Sequence, residues 1–254
     1  MICDVIATGS TGNAVFLSAE GNPPQKGVLI DCGVAYKKIE PYLKRIGLVL
    51  LTHIHGDHFN PAAIKKMHTL RPMLRFGCCG WMVPHLLKAG VASSRIDVYD
   101  IGKRVRYEAQ MLDVEPFALA HDVDNCGYKL TFCDEKVLYA TDCATMDGIE
   151  AKDYDLYMIE ANYTEDEMAE RIKRKLETGE FVYEYRAAAG HMSREKADAW
   201  LAQNATVGKS KVLYMHQHKE ANDEQGDFDG SHDTRSRTEA NTERPCGYEF
   251  YACD

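Results

Sequence analysis

Residues 52–61 read THIHGDHFNP, and three histidines and an aspartate fall between positions 53 and 58. Neutral imidazole and ionised carboxylate in mixture select zinc, manganese or iron over calcium, which prefers an all-oxygen shell. In an extended segment alternate side chains share a face, so His53 and His55 reach one ion together. Asp57 and His58 are adjacent, point differently and suit a second ion beside the first, with Gly56 letting the backbone turn between the pairs. A single histidine near a strand end is ordinarily a polar surface or core residue. Four potential ligands at this spacing, directly behind the apolar run GLVLL, are read as a metal site.

Two ions need more donors than four side chains supply, and three further candidates follow apolar runs downstream. His121 follows FALA, Asp142 follows KVLYAT and His216 follows KVLYM. His218, two residues on in MHQH, is a rival for the last position.

The elements that must position these groups are legible as short apolar runs. MICDVIAT and AVFLSA are strands parted by the turn cluster GSTGN, and Val28, Leu29 and Ile30 form a buried strand ending at Asp31. Helical spacing begins at NPAAIKKMHTL, with Asn60 as N-cap and Pro61 in the first helical position, and returns in MVPHLLKAG, closed by Gly90. Strands recur in MLDVEPFALA, YKLTF and KVLYATD. The last third alternates: DLYMIEAN is a strand, EDEMAERIKRKLE a charged helix, SREKADAWLAQN a helix capped by Ser193, and KVLYMH a strand. Candidate ligands thus fall just past strand ends, and each half of the chain is a sheet with helices, which suits two sheets packed together and covered by helices.

Bulk composition bounds the rest. A chain of 254 residues with 45% hydrophobic content buries a sizeable core. No eighteen apolar residues run together and the N-terminus shows no basic, then apolar, leader, so no membrane partner is expected and the expected compartment is the cytoplasm. The net charge of −9 argues against a broad electropositive footprint for long nucleic acid, although a local basic rim or metal ions can hold a phosphate. Nine cysteines without repeated C-x-x-C spacing read as reduced thiols, the pair Cys78 and Cys79 as small apolar filling. Residues 1–219 form the expected domain. Residues 220–254 are a polar tail whose aromatic end, Tyr248, Phe250 and Tyr251, either folds back on the domain or reaches a second copy in a homodimer.

With these motifs assembled, the chain resembles the metallo-β-lactamase superfamily. THIHGDH matches its H-x-H-x-D-H signature, and His121, Asp142 and His216 follow in the order and contexts of its later motifs. The resemblance implies an αββα four-layer sandwich of the α/β (α+β) class. It also implies two divalent ions, zinc or manganese with iron as an alternative. One would be held by His53, His55 and His121 and the other by Asp57, His58 and His216, with Asp142 bridging.

AAAGHMSREKADAWLAQN followed by KVLYMH resembles the ending of RNase Z-type phosphodiesterases and their exonuclease-like relatives, as do TGSTGNAVFL and VLIDCG. This implies a phosphodiesterase acting on nucleic acid or on a small or cyclic nucleotide, with Asp57 orienting or deprotonating the attacking water and His191 as general acid or transition-state donor. The alternative is a thioesterase or another non-phosphodiester hydrolase, which would not be expected to carry the GHMS histidine. Asp31 is a candidate to fix a ligand histidine's tautomer and Asn162 to support the site from behind, while Tyr185 and Arg186 are placed to touch a phosphate or base. His68 and His85, inside helical stretches and without partners at ligand spacing, are assigned surface or core duty.

Overall fold

The computed structural model describes residues 1–19, 26–217 and 249–250. Six strands form the first sheet in sequence order: β1 (Ile2–Ala7), β2 (Ala14–Ser18), β3 (Gly27–Ile30), β4 (Ile46–Leu51), β5 (Arg75–Cys79) and β6 (Ile96–Tyr99). The first three pair antiparallel, and β3 to β6 run parallel. The second sheet comprises β7 (Val105–Tyr107), β8 (Leu112–Leu119), β9 (Asn125–Phe132), β10 (Glu135–Ala140), β11 (Leu156–Glu160), β12 (Lys211–Met215) and β13 (Glu249–Phe250), also in sequence order. It is antiparallel up to β10 and parallel beyond.

Three apolar clusters define four layers. Phe16, Leu29, Val49, Leu51 and Phe76 on one face of the first sheet pack on Ile39, Ile64, Met67 and Leu86 from α1 (Tyr36–Ile39), α2 (Pro61–Leu70) and α3 (Val83–Lys88). The opposite face, with Val15, Leu17, Leu48 and Leu50, meets Leu130, Val137, Tyr139 and Met158 of the second sheet. The far face of that sheet, Leu138, Tyr157, Ile159 and Val212, is covered by Ala197 and Leu201 of α6 (Arg194–Asn204). The order is helix, sheet, sheet, helix. A strand covered on both faces cannot alternate apolar and polar, which is why β4 reads IGLVLL. Each such Leu or Val contributes about 1.5–3 kcal/mol on burial.

Local signals set the boundaries. The Asn60 side chain accepts from the Ala62 and Ala63 amides, both at 3.1 Å, and Pro61 occupies the first turn of α2. Ser193 accepts from Lys196 N at 3.3 Å and starts α6. The charged helix α4 (Glu165–Thr178) is capped by Thr164 and closed by Gly179 at φ +73. The short helix α5 (Glu184–Gly190) then leads into His191. Cys78 and Cys79 are buried on opposite faces of β5, one in each adjoining cluster. His68 accepts from the Ala92 amide and His85 packs edge-on to Phe59, both away from the histidine cluster.

Parallel pairing gathers the chemistry. Ala140 is opposite Ile159 and Glu160 opposite Met215, so the C-terminal ends of β10, β11 and β12 align at one sheet edge. Across the sandwich, Ile30 is opposite Leu50, which aligns the ends of β3 and β4. Crevices at the carboxyl ends of parallel strands are where open α/β sheets bind ligands. Of the tail, Glu249 and Phe250 pair parallel to Lys211 and Val212 on β12; the remainder and His218 lie outside the described residues. No helix among the described residues is long and apolar enough to cross a membrane.

Candidate metal centre

The strand ends bring His53, His55, Asp57, His58, His121, Asp142, His191 and His216 into one cluster. His53, His55 and His121 offer nitrogens within 4.8 Å of one another, as do His53 and His58 with a carboxylate oxygen of Asp142. A third set joins Asp142 to Glu160, His191 and His216. Asp57 Oδ2 lies 3.6 Å from His216 Nε2 and 3.7 Å from His58 Nε2, between the sets. Three of the residues at the turns that leave the strands, Asp31, Asp142 and His216, sit in the left-handed region with φ of 58, 56 and 54. Asp, Asn and His tolerate that conformation best among non-glycine residues, and such strain concentrates at functional sites.

Hydrogen bonds fix which nitrogen of each ring is a donor. The Thr52 hydroxyl donates to Asp31, 3.0 Å from each carboxylate oxygen, so it accepts from His53 Nδ1 at 3.0 Å. His53 therefore presents Nε2 as a lone pair, and that atom is buried with no hydrogen-bond partner among the described residues. His58 donates through Nδ1 to Asp31 Oδ2 at 2.7 Å, which likewise leaves Nε2 as the open position. His121 donates through Nδ1 to the Gly190 carbonyl at 3.1 Å, and its Nε2 faces His55 Nδ1 at 3.3 Å. Asp31, fully buried, thus orients two histidines at once, and such outer partners set both tautomer and basicity.

The electrostatics are those of a cation site. His58 Nε2 lies 2.7 Å from Asp142 Oδ2 and 2.8 Å from the Asn13 amide nitrogen. Without a cation a proton fills the first gap: burial pushes the His58 pKa down, but Asp142 and Asp31 outweigh it and hold it well above the ordinary value. Burial pushes Asp142 up, and the charge and hydrogen bond of His58 overcome that and hold it low. Burial, reinforced by His58, drives His53 down to about 2, so that ring is neutral. Burial pushes His216 down, but the carboxylates of Asp57, Glu160 and Asp142 around it outweigh that and raise it to about 10. His216 Nε2, like His53 Nε2, is a buried nitrogen with no partner at hydrogen-bond distance among the described residues, Asp57 Oδ2 lying 3.6 Å away. Converging imidazole nitrogens, two of them orphaned, beside ionised carboxylates fit divalent metal ions, whose binding would release the protons now shared there.

Three contributors escaped the sequence reading. Glu160 ends an otherwise apolar strand, LYMIE, and is fully buried. Its Oε1 accepts from His191 Nδ1 at 2.6 Å and lies 3.2 Å from His216 Nδ1, while Oε2 accepts from the Cys143 amide at 2.7 Å. The available signal was a carboxylate ending a buried strand between two strands that end in candidate ligands. Asn13, in the GSTGN turn, holds the histidine loop by accepting from Gly9 N through Oδ1 and donating its backbone N–H to the Asp57 carbonyl at 2.6 Å. Thr52 links Asp31 to His53 as described. Asn162 donates to the His216 carbonyl at 2.8 Å, supporting that turn. A Cβ at Gly33 would meet the Asp57 carbonyl oxygen at 1.7 Å, so only glycine lets the two loops lie together.

A family model described as "Beta-lactamase superfamily domain" matches residues 26–217. The chain belongs to the metallo-β-lactamase superfamily. Solved structures agree in fold. The metallo-beta-lactamase fold protein YhfI from Bacillus subtilis is 17% identical, with 87% of this chain and 88% of that one covered at a TM-score of 0.65. Human tRNase Z, short form, is 16% identical over 85% of this chain and 93% of its own, TM-score 0.61. A diphosphatase from the PhnP family is 12% identical over 89% and 91%, TM-score 0.56. At these identities the likeness speaks for architecture. No curated protein matches the sequence.

Proposed function

We propose that this superfamily member is a dinuclear-metal-dependent phosphodiester hydrolase acting on nucleic acid or on a small or cyclic nucleotide. The observation that carries the reading is the pairing of His191 with buried Glu160 at the rim of the centre. Burial pushes the His191 pKa down, but the hydrogen bond and charge of Glu160 raise it above the ordinary value, so the ring is available as a proton donor near neutral pH. A thioester's leaving group departs as a thiolate and does not call for a donor placed there.

His53, His55 and His121 would hold one ion and Asp57, His58 and His216 the other, with Asp142 between them; zinc or manganese suits the donors. Ions held there supply a water nucleophile at neutral pH and neutralise phosphoryl charge. Asp57 stays ionised, since burial raises its pKa but the neighbouring His216 and His58 lower it further. With its side chain 21% exposed it is the most open of the central carboxylates and would orient the attacking water or accept its proton. His191, held at Nδ1, would deliver a proton through Nε2 to the departing oxygen. Arg75, Arg104 and Arg106 are engaged with acidic neighbours, in keeping with recognition by a local site instead of a basic surface.

The test is turnover of bis-p-nitrophenyl phosphate, labelled DNA, RNA and cyclic mononucleotides against a thioester, with manganese or zinc. Hydrolysis of DNA, RNA or a cyclic mononucleotide, whose alkoxide leaving groups need a proton, that is lost in His191→Ala while metal content is kept supports the reading. Turnover of the thioester alone overturns it.

A further inference from the structure

Two cavities flank His121, and their walls differ in chemistry. The first, about 600 Å³, is bounded by His121, His191, Asp122, Ala187, Tyr183 and Arg186. Two of those walls belong to the centre, so an occupant lies against the reacting atoms. Small side chains at Ala120, Ala144, Ala187 and Gly190 keep the space open. Arg186 is exposed and forms no ion pair among the described residues, on a chain whose net charge is −9. Tyr185, 58% exposed, does not line the cavity; Tyr183 does.

Tyr183 is held from one side by an unusual support. The Lys175 ammonium lies 3.7 Å from its ring centroid and 2.7 Å from Glu184 Oε1. Lys175 is 9% and Glu184 1% exposed, so this is a buried charge pair joining α4 to α5. Such a pair contributes little net stability but fixes geometry, and the cation on the ring pins an aromatic residue that is itself 44% exposed. A pinned aromatic wall and a free guanidinium beside a candidate metal centre suit a planar base and a phosphate.

The second cavity, about 620 Å³, is lined by Trp81, Ile101, Leu119, Asp122 and Asp124, with no lysine or arginine. Asp122 is common to both cavities; the first sets Arg186 against it, whereas the second adds Asp124 and no cation, which disfavours a continuing anionic strand. Resting on the phosphodiesterase reading above, we propose that the first cavity is a nucleotide subsite. Tyr183 stacks on the base, Arg186 holds a non-scissile phosphate, and the substrate carries its charge to one side of the scissile bond only. That substrate is a small nucleotide diester instead of a long strand.

The experiment compares manganese-loaded full-length protein on four substrates: methyl p-nitrophenyl phosphate, thymidine 5′-(p-nitrophenyl phosphate), the same ester bearing a 3′-phosphate, and an end-blocked oligodeoxynucleotide. Tyr183→Ala is expected to raise KM for both thymidine esters about ten-fold. The kcat for these esters and turnover of the methyl ester should stay unchanged, and Tyr183→Phe should restore KM. Arg186→Ala is expected to raise KM only for the 3′-phosphorylated ester. Equal losses on methyl and thymidine esters would make Tyr183 merely structural and overturn the subsite. Internal cleavage of the blocked strand as efficient as that of the thymidine esters would overturn the one-sided substrate. Turnover of none of the four by wild type would instead refute the phosphodiesterase reading itself.

Discussion

Asp31→Asn isolates one physical effect at the centre. The substitution keeps shape, and asparagine tolerates the left-handed φ of 58 as aspartate does, so the backbone is unperturbed. What changes is acceptor capacity. Asp31 Oδ1 accepts from Thr52 N at 3.0 Å and Oδ2 from His58 Nδ1 at 2.7 Å, and the Thr52 hydroxyl is 3.0 Å from both oxygens. An amide must turn its NH2 toward the Thr52 amide or toward His58. The first leaves a buried backbone donor unpaired; the second forces the His58 proton onto Nε2, the atom aimed at Asp142. Either orientation replaces charge-assisted bonds by weaker neutral ones and leaves one buried group unsatisfied, at a cost of about 3 kcal/mol. In a domain of this size that lowers the apo Tm by roughly 6–12 °C. Loss of the tautomer clamp should weaken metal affinity about 10- to 100-fold. Differential scanning fluorimetry and competition against a metal chelator read the two effects separately. Metal affinity within two-fold of wild type, alongside the thermal loss, would refute the claim that Asp31 sets the His58 tautomer.

Other perturbations give equally definite outcomes. Gly33→Ala drives a Cβ into the Asp57 carbonyl and should cost about 3 kcal/mol, with activity falling below detection even in protein that remains folded by circular dichroism. Chelation of bound metal should abolish turnover and, for metal present at about 100 times its Kd, remove about 2.7 kcal/mol of stability, seen as a lowered Tm. Glu160→Gln removes the charge and strong acceptor that raise the His191 pKa against burial. The protonated ring should then persist over a narrower range, and the alkaline limb of the kcat profile should move to lower pH; an unmoved limb would separate His191 from proton transfer.

The histidine motif and the αββα layers were legible because both rest on local pattern. The fully apolar β4 announces a strand buried on two faces, and residues 53–58 pack four donors into one turn. His121, Asp142 and His216 could be named because each follows an apolar run. Glu160 was not named, because the meaning of a carboxylate ending LYMIE depends on β11 lying between β10 and β12 with their ends level. Asn13 reads locally as a turn residue, and only the pairing of β1 with β2 carries that turn to Asp57. Tyr183 was passed over for Tyr185 because the choice depends on how the short helix α5 presents its side chains to the cavity. Residues whose role is set by tertiary neighbours leave weak sequence marks, and here they are the ones that orient the candidate ligands.

The central claim is tested most directly by one titration. Metal-free protein is reloaded with manganese or zinc while bound metal and bis-p-nitrophenyl phosphate turnover are followed together. Two equivalents per chain, with turnover rising as they fill, is the expected result. A chain that takes up both equivalents and hydrolyses a thioester but no phosphodiester would contradict it.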